Sequence, residues 1–305
     1  MARPQAEIGL NPHMGGQNSA FEELVRINTN DFITAIGLEH LKRGRGILTA
    51  LLRPLAVRFA KQVLMFDEIV ATRGLPAAGE WVTREFAAGY TVLGWREELR
   101  NGPVLFVSNH PGLTDALALF AAIDRNDLAI IARHRDFLHA IPNIARYLIY
   151  VSDEGSDRSL AIRAVRDHLR AGRAVLLFPA GKIEPDPLAL PGAAEALSEW
   201  SSSIGLIARL VPEALIAPVI VSGVLSRAAL RNPITRIRKQ KKDREWLAAT
   251  LQVIVPAYQH VQVHLNFGAP VPAGELVRHY GDAIAVTQAV VARARALLPP
   301  EPLNR

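Results

Sequence analysis

The sequence predicts an α/β fold: a mixed, mainly parallel sheet sandwiched by helices, with an appended N-terminal helical layer. Three observations point to it. From Tyr90 onward, short apolar runs that suit buried strands alternate with amphipathic stretches. Before residue 75 the apolar spacing is helical throughout. Apolar residues make up 50% of the 305 and charged residues 21%, so a sizeable core can be buried and wholesale disorder is excluded. The chain divides into a flexible arm over 1–20, a helical region over 21–84 and an α/β domain over 85–305.

Phe21, Leu24, Val25, Phe32, Ile33 and Ile36 recur at helical intervals and predict a helix over 21–40, weakened at Asn28-Thr29-Asn30. After the turn at Lys42-Arg43-Gly44-Arg45-Gly46, a second helix over 47–70 carries Leu48, Leu51, Leu52, Leu55 and Phe59 on one side. Arg53, Arg58 and Lys61 interleave. Pro54 should kink this helix or mark its start. Such a helix suits packing on its own domain or lying on a membrane surface.

Strands are predicted over 90–93, 104–108, 128–132, 147–151, 174–178 and 215–221, and a late one over 261–267 with period-two alternation. Helices are predicted over 115–123, 158–171 (stopped by Gly172), 191–207 and 283–298.

Composition narrows the function. With no cysteine, disulfides, thiolate metal sites and a cysteine nucleophile are excluded. His134, His139 and His168 lack metal-ligand spacing, so no metal is expected. Ser108 sits in no Gly-x-Ser-x-Gly elbow, which argues against a serine hydrolase. The net charge is +6, and it is local. Residues 227–244 hold eight basic residues against Asp243 alone, a net +7 that leaves −1 for the rest. That segment is either a solvated face or a contact to anionic lipid or an acidic carrier. No nucleic-acid motif accompanies it, and no nucleic-acid partner is expected. The first 20 residues lack an apolar signal core, and no run reaches the ~18–20 apolar residues of a spanning helix. The expected location is cytoplasmic, with peripheral membrane association.

Two strand ends carry the chemistry. After the apolar run 104–108 come Asn109-His110, a Pro111-Gly112 turn, Thr114 as a helix N-cap and Asp115 opening the helix. This brings a carboxylate within reach of an imidazole at the carboxyl end of a strand, where ligands of open α/β sheets gather. The pair suits general-base catalysis, with Asp115 holding one ring N–H while the other nitrogen takes a hydroxyl proton. A second apolar run, 175–177, ends in Phe178-Pro179-Ala180-Gly181-Lys182. There Gly181 permits close backbone approach and Lys182 supplies a cation.

Together these stretches resemble the glycerolipid acyltransferase family, of the 1-acylglycerol-3-phosphate acyltransferase type, over roughly residues 85–295. Asn109-His110 and Asp115 match its Asn-His-x4-Asp block, and Phe178, Pro179 and Gly181 match its Phe-Pro-Glu-Gly block in part. Residues 147–151 followed by Asp157-Arg158 look like its second block. Residues 215–221 with Pro218 look like its fourth, and Phe267-Gly268-Ala269-Pro270 is similar to its late strand and turn. The family's glutamate is Ala180 here, and its Thr-Arg is Lys182-Ile183, with Glu184 a candidate to fill the vacated space.

The resemblance implies an O-acyltransferase that moves a fatty acyl group from acyl-CoA or acyl carrier protein to the hydroxyl of a (lyso)glycerophospholipid. His110 would be the base and Asp115 its orienting partner. Arg158 and Lys182 would hold the acceptor phosphate. Asn109, Phe178, Pro179 and Gly181 would complete the substrate site, with N–H groups around Gly181 facing the oxyanion. No cofactor or metal is implied. Ala180 keeps two alternatives open: a catalytically altered lipid-binding member of the same fold, or transfer to a non-phosphate lyso-lipid.

Overall fold

The computed structural model describes residues 12–151 and 155–301, without the side chains of 12–18, 113 and 155–158. The strands are β1 (Gly89–Leu93), β2 (Val104–Ser108), β3 (Leu128–Arg133), β4 (Leu148–Val151), β5 (Ala174–Leu177), β6 (Leu215–Ser222), β7 (Gln262–Phe267) and β8 (Val271–Pro272). The helices are α1 (Pro12–Ala35), α2 (Arg45–Arg73), α3 (Leu75–Phe86), α4 (Leu113–Ile123), α5 (Asp136–His139), α6 (Pro142–Ala145), α7 (Gly155–Arg170), α8 (Ala193–Ala196), α9 (Ser203–Leu210), α10 (Arg227–Leu230), α11 (Lys241–Ile254), α12 (Ala273–Tyr280) and α13 (Ala283–Arg295). Of the arm expected over 1–20, residues 1–11 lie outside the described residues, and from Pro12 the chain is helical.

The sheet order is β1-β7-β6-β2-β5-β3-β4, with β8 paired to β6. Strands β2 to β6 run parallel; β7 is antiparallel to β6 and carries β1 parallel to itself. The fold is therefore a mixed, mostly parallel sheet with helices on both faces. Strands β2 and β5 are buried along their whole length, which is why they read as unbroken apolar runs. Pro218 is tolerated in central β6 because it falls between two partners. β8 pairs at Leu215 and Ile216, and β7 pairs from Val219 onward, so a missing N–H at Pro218 breaks no ladder bond to either.

Two apolar cores flank the sheet. One joins α1–α4 to Phe106, Ile130 and Leu176; the other joins α7, α9, α12 and α13 to Leu105, Val175 and Leu177. The N-terminal helices thus share one continuous core with the sheet. Pro54 neither starts nor ends α2. Its ring sits on the exposed side, and the carbonyl it leaves unpaired, at exposed Ala50, is open to water. Asp67 of α2 is buried and accepts the backbone N–H groups of Asn143 (3.0 Å) and Ile144 (2.9 Å), fastening α6 to the N-terminal layer.

One expected helix is corrected. The helix expected over 191–207 is broken between α8 and α9, where Trp200 turns extended and donates its indole N–H to buried Glu184 at 3.0 Å. The basic segment is folded into α10, a 3₁₀ turn (Pro233–Ile237) and the first turn of α11. Within it Arg238 points inward to Asp243 at 2.8 Å, while Arg236, Lys239 and Lys242 are exposed.

Candidate active site

The adjacent strands β2, β5 and β3 end on one edge of the sheet, and the candidate site is built from the segments that leave their carboxyl ends. Beyond β2, Asn109 is buried, and its amide is engaged with the backbone of Val221. It donates to the carbonyl at 2.9 Å and accepts the N–H at 2.7 Å. It therefore extends the β2–β6 ladder by side chain and positions the next residue, and it does not line the cleft beside His110.

His110 Nδ1 lies 2.7 Å from Asp115 Oδ2. A carboxylate only accepts, so the proton sits on Nδ1 and Nε2 keeps its lone pair. Asp115 is fully buried and also accepts the N–H of Gly112 at 3.1 Å and of Ala116 at 2.5 Å. These bonds overturn the expected cap. Gly112, not Thr114, caps α4, because the carboxylate that orients the imidazole also reaches back to the cap N–H. The ring packs on Phe178, with centroids 4.6 Å apart. Burial opposes charging the imidazole, but the carboxylate of Asp115, its hydrogen bond and the more distant Glu184 together hold it above its usual 6.5.

Glu184 joins this site from the loop after β5. Its Oε2 accepts the His110 N–H at 2.9 Å, and its own N–H donates to the His110 carbonyl at 2.9 Å. Its other oxygen holds Trp200. It thus clamps the backbone of residue 110 and is not turned to the imidazole. Burial pushes its carboxyl up to about 7, against the lowering effect of the Trp200 and His110 hydrogen bonds. Two residues on, fully buried Asp186 accepts the N–H groups of Leu225 (2.8 Å), Gly223 (2.9 Å) and Leu188 (2.9 Å), tying this loop to the turn after β6.

Phe178, Pro179, Ala180, Gly181 and Lys182 all border one cleft of about 1110 Å³, as does His110. That is slightly above the roughly 300–1,000 Å³ common for small-molecule sites. Gly181 takes φ +61°, which favours glycine, and its N–H closes a turn on the Phe178 carbonyl at 3.1 Å, so that N–H is already engaged. Lys182 is half-exposed and paired with Glu199. The side chain of Arg158 lies outside the described residues.

The cleft also gathers cations that the motifs did not mark: Arg133 at the end of β3, Arg135, and Arg163 and Arg166 of α7. No described residue lining it is an aspartate or glutamate. A basic residue ending a parallel strand was the available signal for Arg133. Its guanidinium lies over Gly181, 3.6 Å from where a β-carbon would stand. Apart from His110 and these cations the walls are mostly apolar, with Phe59, Phe66, Phe86 and Phe120 prominent. Among the described residues no group of three His, Asp or Glu is placed to hold a metal.

A strand-end imidazole held by a buried carboxylate therefore stands beside a large, mostly apolar cleft with a cationic border. Residues 92–222, from β1 to the end of β6, match the sequence model of the Acyltransferase family. The resemblance to glycerolipid acyltransferases falls mainly within that stretch. Among solved structures, the crystal structure of the 1-acyl-sn-glycerophosphate (LPA) acyltransferase PlsC from Thermotoga maritima is similar at 17% identity. That match covers 92% of this chain and 95% of that one, with a TM-score of 0.40. No curated protein matches the chain.

Proposed function

We propose that the protein transfers a fatty acyl group from a thioester, acyl-CoA or acyl carrier protein, to the hydroxyl of a lysoglycerophospholipid. The observation that carries this is the His110–Asp115 pair opening onto a cleft that no aspartate or glutamate lines among the described residues. His110 Nε2 takes the proton as the acceptor hydroxyl oxygen attacks the thioester carbonyl. A C–O bond forms, the C–S bond breaks, and the proton passes to the departing thiolate. Asp115 keeps the ring in the right tautomer and stabilises the imidazolium. No covalent enzyme intermediate is needed.

The cations favour an anionic acceptor over a lyso-aminolipid. Arg133, Arg163 and Arg166 suit charge-assisted hydrogen bonds to a phosphate, while among the described residues no carboxylate lines the cleft to meet an ammonium headgroup. Ala180 leaves a methyl on the cleft where the family has glutamate, and Glu184 does not replace it there because both its oxygens are engaged. A purely lipid-holding role would give no reason for an imidazole tautomer fixed at the cleft by a buried carboxylate.

The surface supports contact with an anionic membrane. No described helix is long and apolar enough to cross a bilayer. Ile234, Ile237 and Trp246 are exposed beside Arg236, Lys239 and Lys242, and Ile47 and Leu51 are exposed on the first turns of α2. Basic residues near anionic lipid contribute about 1 kcal/mol each. A donor-by-acceptor screen, with His110→Ala as the blank, tests the assignment: turnover of at least one thioester–lysophospholipid pair supports it, and none above the blank refutes it.

A further inference from the structure

In the sheet β2 lies between β5 and β6, so His110 leaves the middle of three parallel strands. The segments leaving these strands are tied to one another by side chains. Asn109 binds the backbone of Val221 in β6, and Glu184, from the loop after β5, binds the backbone of His110. Asp186 closes the third side. Its Oδ1 accepts the N–H groups of Leu188 and Gly223 at 2.9 Å each, and its Oδ2 accepts that of Leu225 at 2.8 Å. The loop after β5 and the turn after β6 are thereby joined across the exit of β2.

The two joined segments are not equally firm. The turn over 223–226 is the fixed one. Gly223 takes φ +73° and lies so close to β7 that a β-carbon would stand 2.3 Å from the Gln262 carbonyl oxygen. Buried Gln252 of α11 accepts the Ser226 N–H at 2.7 Å and donates to the Val224 carbonyl at 2.8 Å. The loop after β5, by contrast, holds no regular helix or strand between Leu177 and Ala193. Its other tie to α10, from Arg227 to the Leu188 carbonyl at 3.1 Å, comes from an exposed side chain and competes with water. Asp186 itself is fully buried, and a carboxylate out of water is costly unless its oxygens are bonded. Its three backbone N–H partners meet that need only with the loop and the turn in one relative position, which makes the group a specific fastener.

We propose that Asp186 is a positioning residue for the reaction: it carries the firmness of the 223–226 turn through Glu184 to the backbone of His110, and so sets where Nε2 stands relative to the acceptor hydroxyl. Neither Asp186 nor Glu184 lines the cleft, so both act through His110. The role rests on the acyl-transfer reading, in which misplacing the base by about 1 Å costs about 10²-fold in rate.

Steady-state kinetics with a lysophosphatidate and an acyl-CoA, run below the melting temperature of each protein, test this in wild type, Asp186→Ala and Asp186→Asn. Asp186→Ala should lower kcat by about 10- to 100-fold and leave both KM values within about twofold. Asp186→Asn keeps one accepting oxygen and should lie between Asp186→Ala and wild type. The exchangeable Nδ1 proton of His110, assigned by magnetic resonance of isotope-labelled histidine through its loss in His110→Ala, should move upfield in Asp186→Ala. The 2.7 Å bond to Asp115 loosens there, although residue 186 bonds to neither partner. Arg125→Ala removes a buried, hydrogen-bonded charge where β3 begins, at the sheet edge away from the cleft. It controls for lost stability and should leave kcat and the Nδ1 proton unchanged. Should Asp186→Ala not fold, Asp186→Asn carries the test, with kcat about three- to tenfold below wild type. A folded Asp186 variant with wild-type kcat, or a fall in kcat with the Nδ1 proton unmoved, overturns the assignment. Absence of turnover by the wild-type protein overturns the acyl-transfer reading and this role with it, so the wild-type rate tells the two failures apart.

Discussion

His110 and Glu184, 74 residues apart, exchange two hydrogen bonds of 2.9 Å each, one from each backbone N–H. The imidazole is thus fixed twice. Asp115 orients its ring, and Glu184 holds the backbone that carries it. This divides one job between two carboxylates and gives them different expected phenotypes.

Asp115→Asn should act on the proton. The base must be neutral, and the wild-type imidazole is held above 6.5, so kcat/KM should rise with pH through an inflection above that value. Removing the negative charge should move the inflection downward. Wrong-tautomer imidazole should lower the plateau by about 10²-fold or more. A pH–rate profile of both proteins measures this; an inflection unmoved by Asp115→Asn would separate the carboxylate from the reacting proton.

Glu184→Gln should act on stability. The folded carboxyl titrates at about 7 against a usual 4.5, so between these values the folded state keeps a proton that the unfolded state has released. Stability from this group is therefore greater at the acid end and falls as pH rises from 4.5 to about 7, by up to roughly 3 kcal/mol. Denaturant unfolding across that range should show a shallower decline in Glu184→Gln than in wild type. Identical pH slopes in the two proteins would contradict it.

The fold was legible where local pattern and tertiary role agree. Buried parallel strands read as apolar runs, and β2 falls on the expected residues. The His110–Asp115 pair was legible because both partners lie within one strand–turn–helix unit. Helix α3 was hidden by Pro76 and Gly79. Gly79 is there because α4 comes so close that a β-carbon would stand 2.5 Å from the Leu117 carbonyl. The break at Trp200 and the clamp by Glu184 depend on each other across the fold, and no local spacing announces either. Arg163 and Arg166 look like an ordinary charged helix face until β5 places that helix beside Gly181.

Arg133→Ala should raise KM for a phosphate-bearing acceptor by about ten- to a hundredfold, the worth of a charge-assisted hydrogen bond, and should leave an uncharged acceptor unaffected. Lys182→Ala should have a smaller effect, because an ammonium is a point charge without the bidentate fork that a guanidinium offers a phosphate. Steady-state kinetics with matched phosphate and neutral acceptors gives the comparison. A larger effect at Lys182 would place the headgroup outside the Arg133 side.

Reversing the charge of Arg236, Lys239 and Lys242 to glutamate should abolish sedimentation with phosphatidylglycerol vesicles, and wild-type binding should weaken with added salt. The melting temperature should change little, since all three side chains are exposed. Vesicle binding that survives the reversal would assign membrane contact to another surface, with the exposed start of α2 next in line.

The most direct measurement compares initial rates of acyl transfer by wild-type and His110→Ala proteins, alongside their affinity for the lysophospholipid. Loss of rate by about 10²- to 10⁴-fold with affinity retained is the predicted result. A His110→Ala protein that turns over at the wild-type rate would contradict the account.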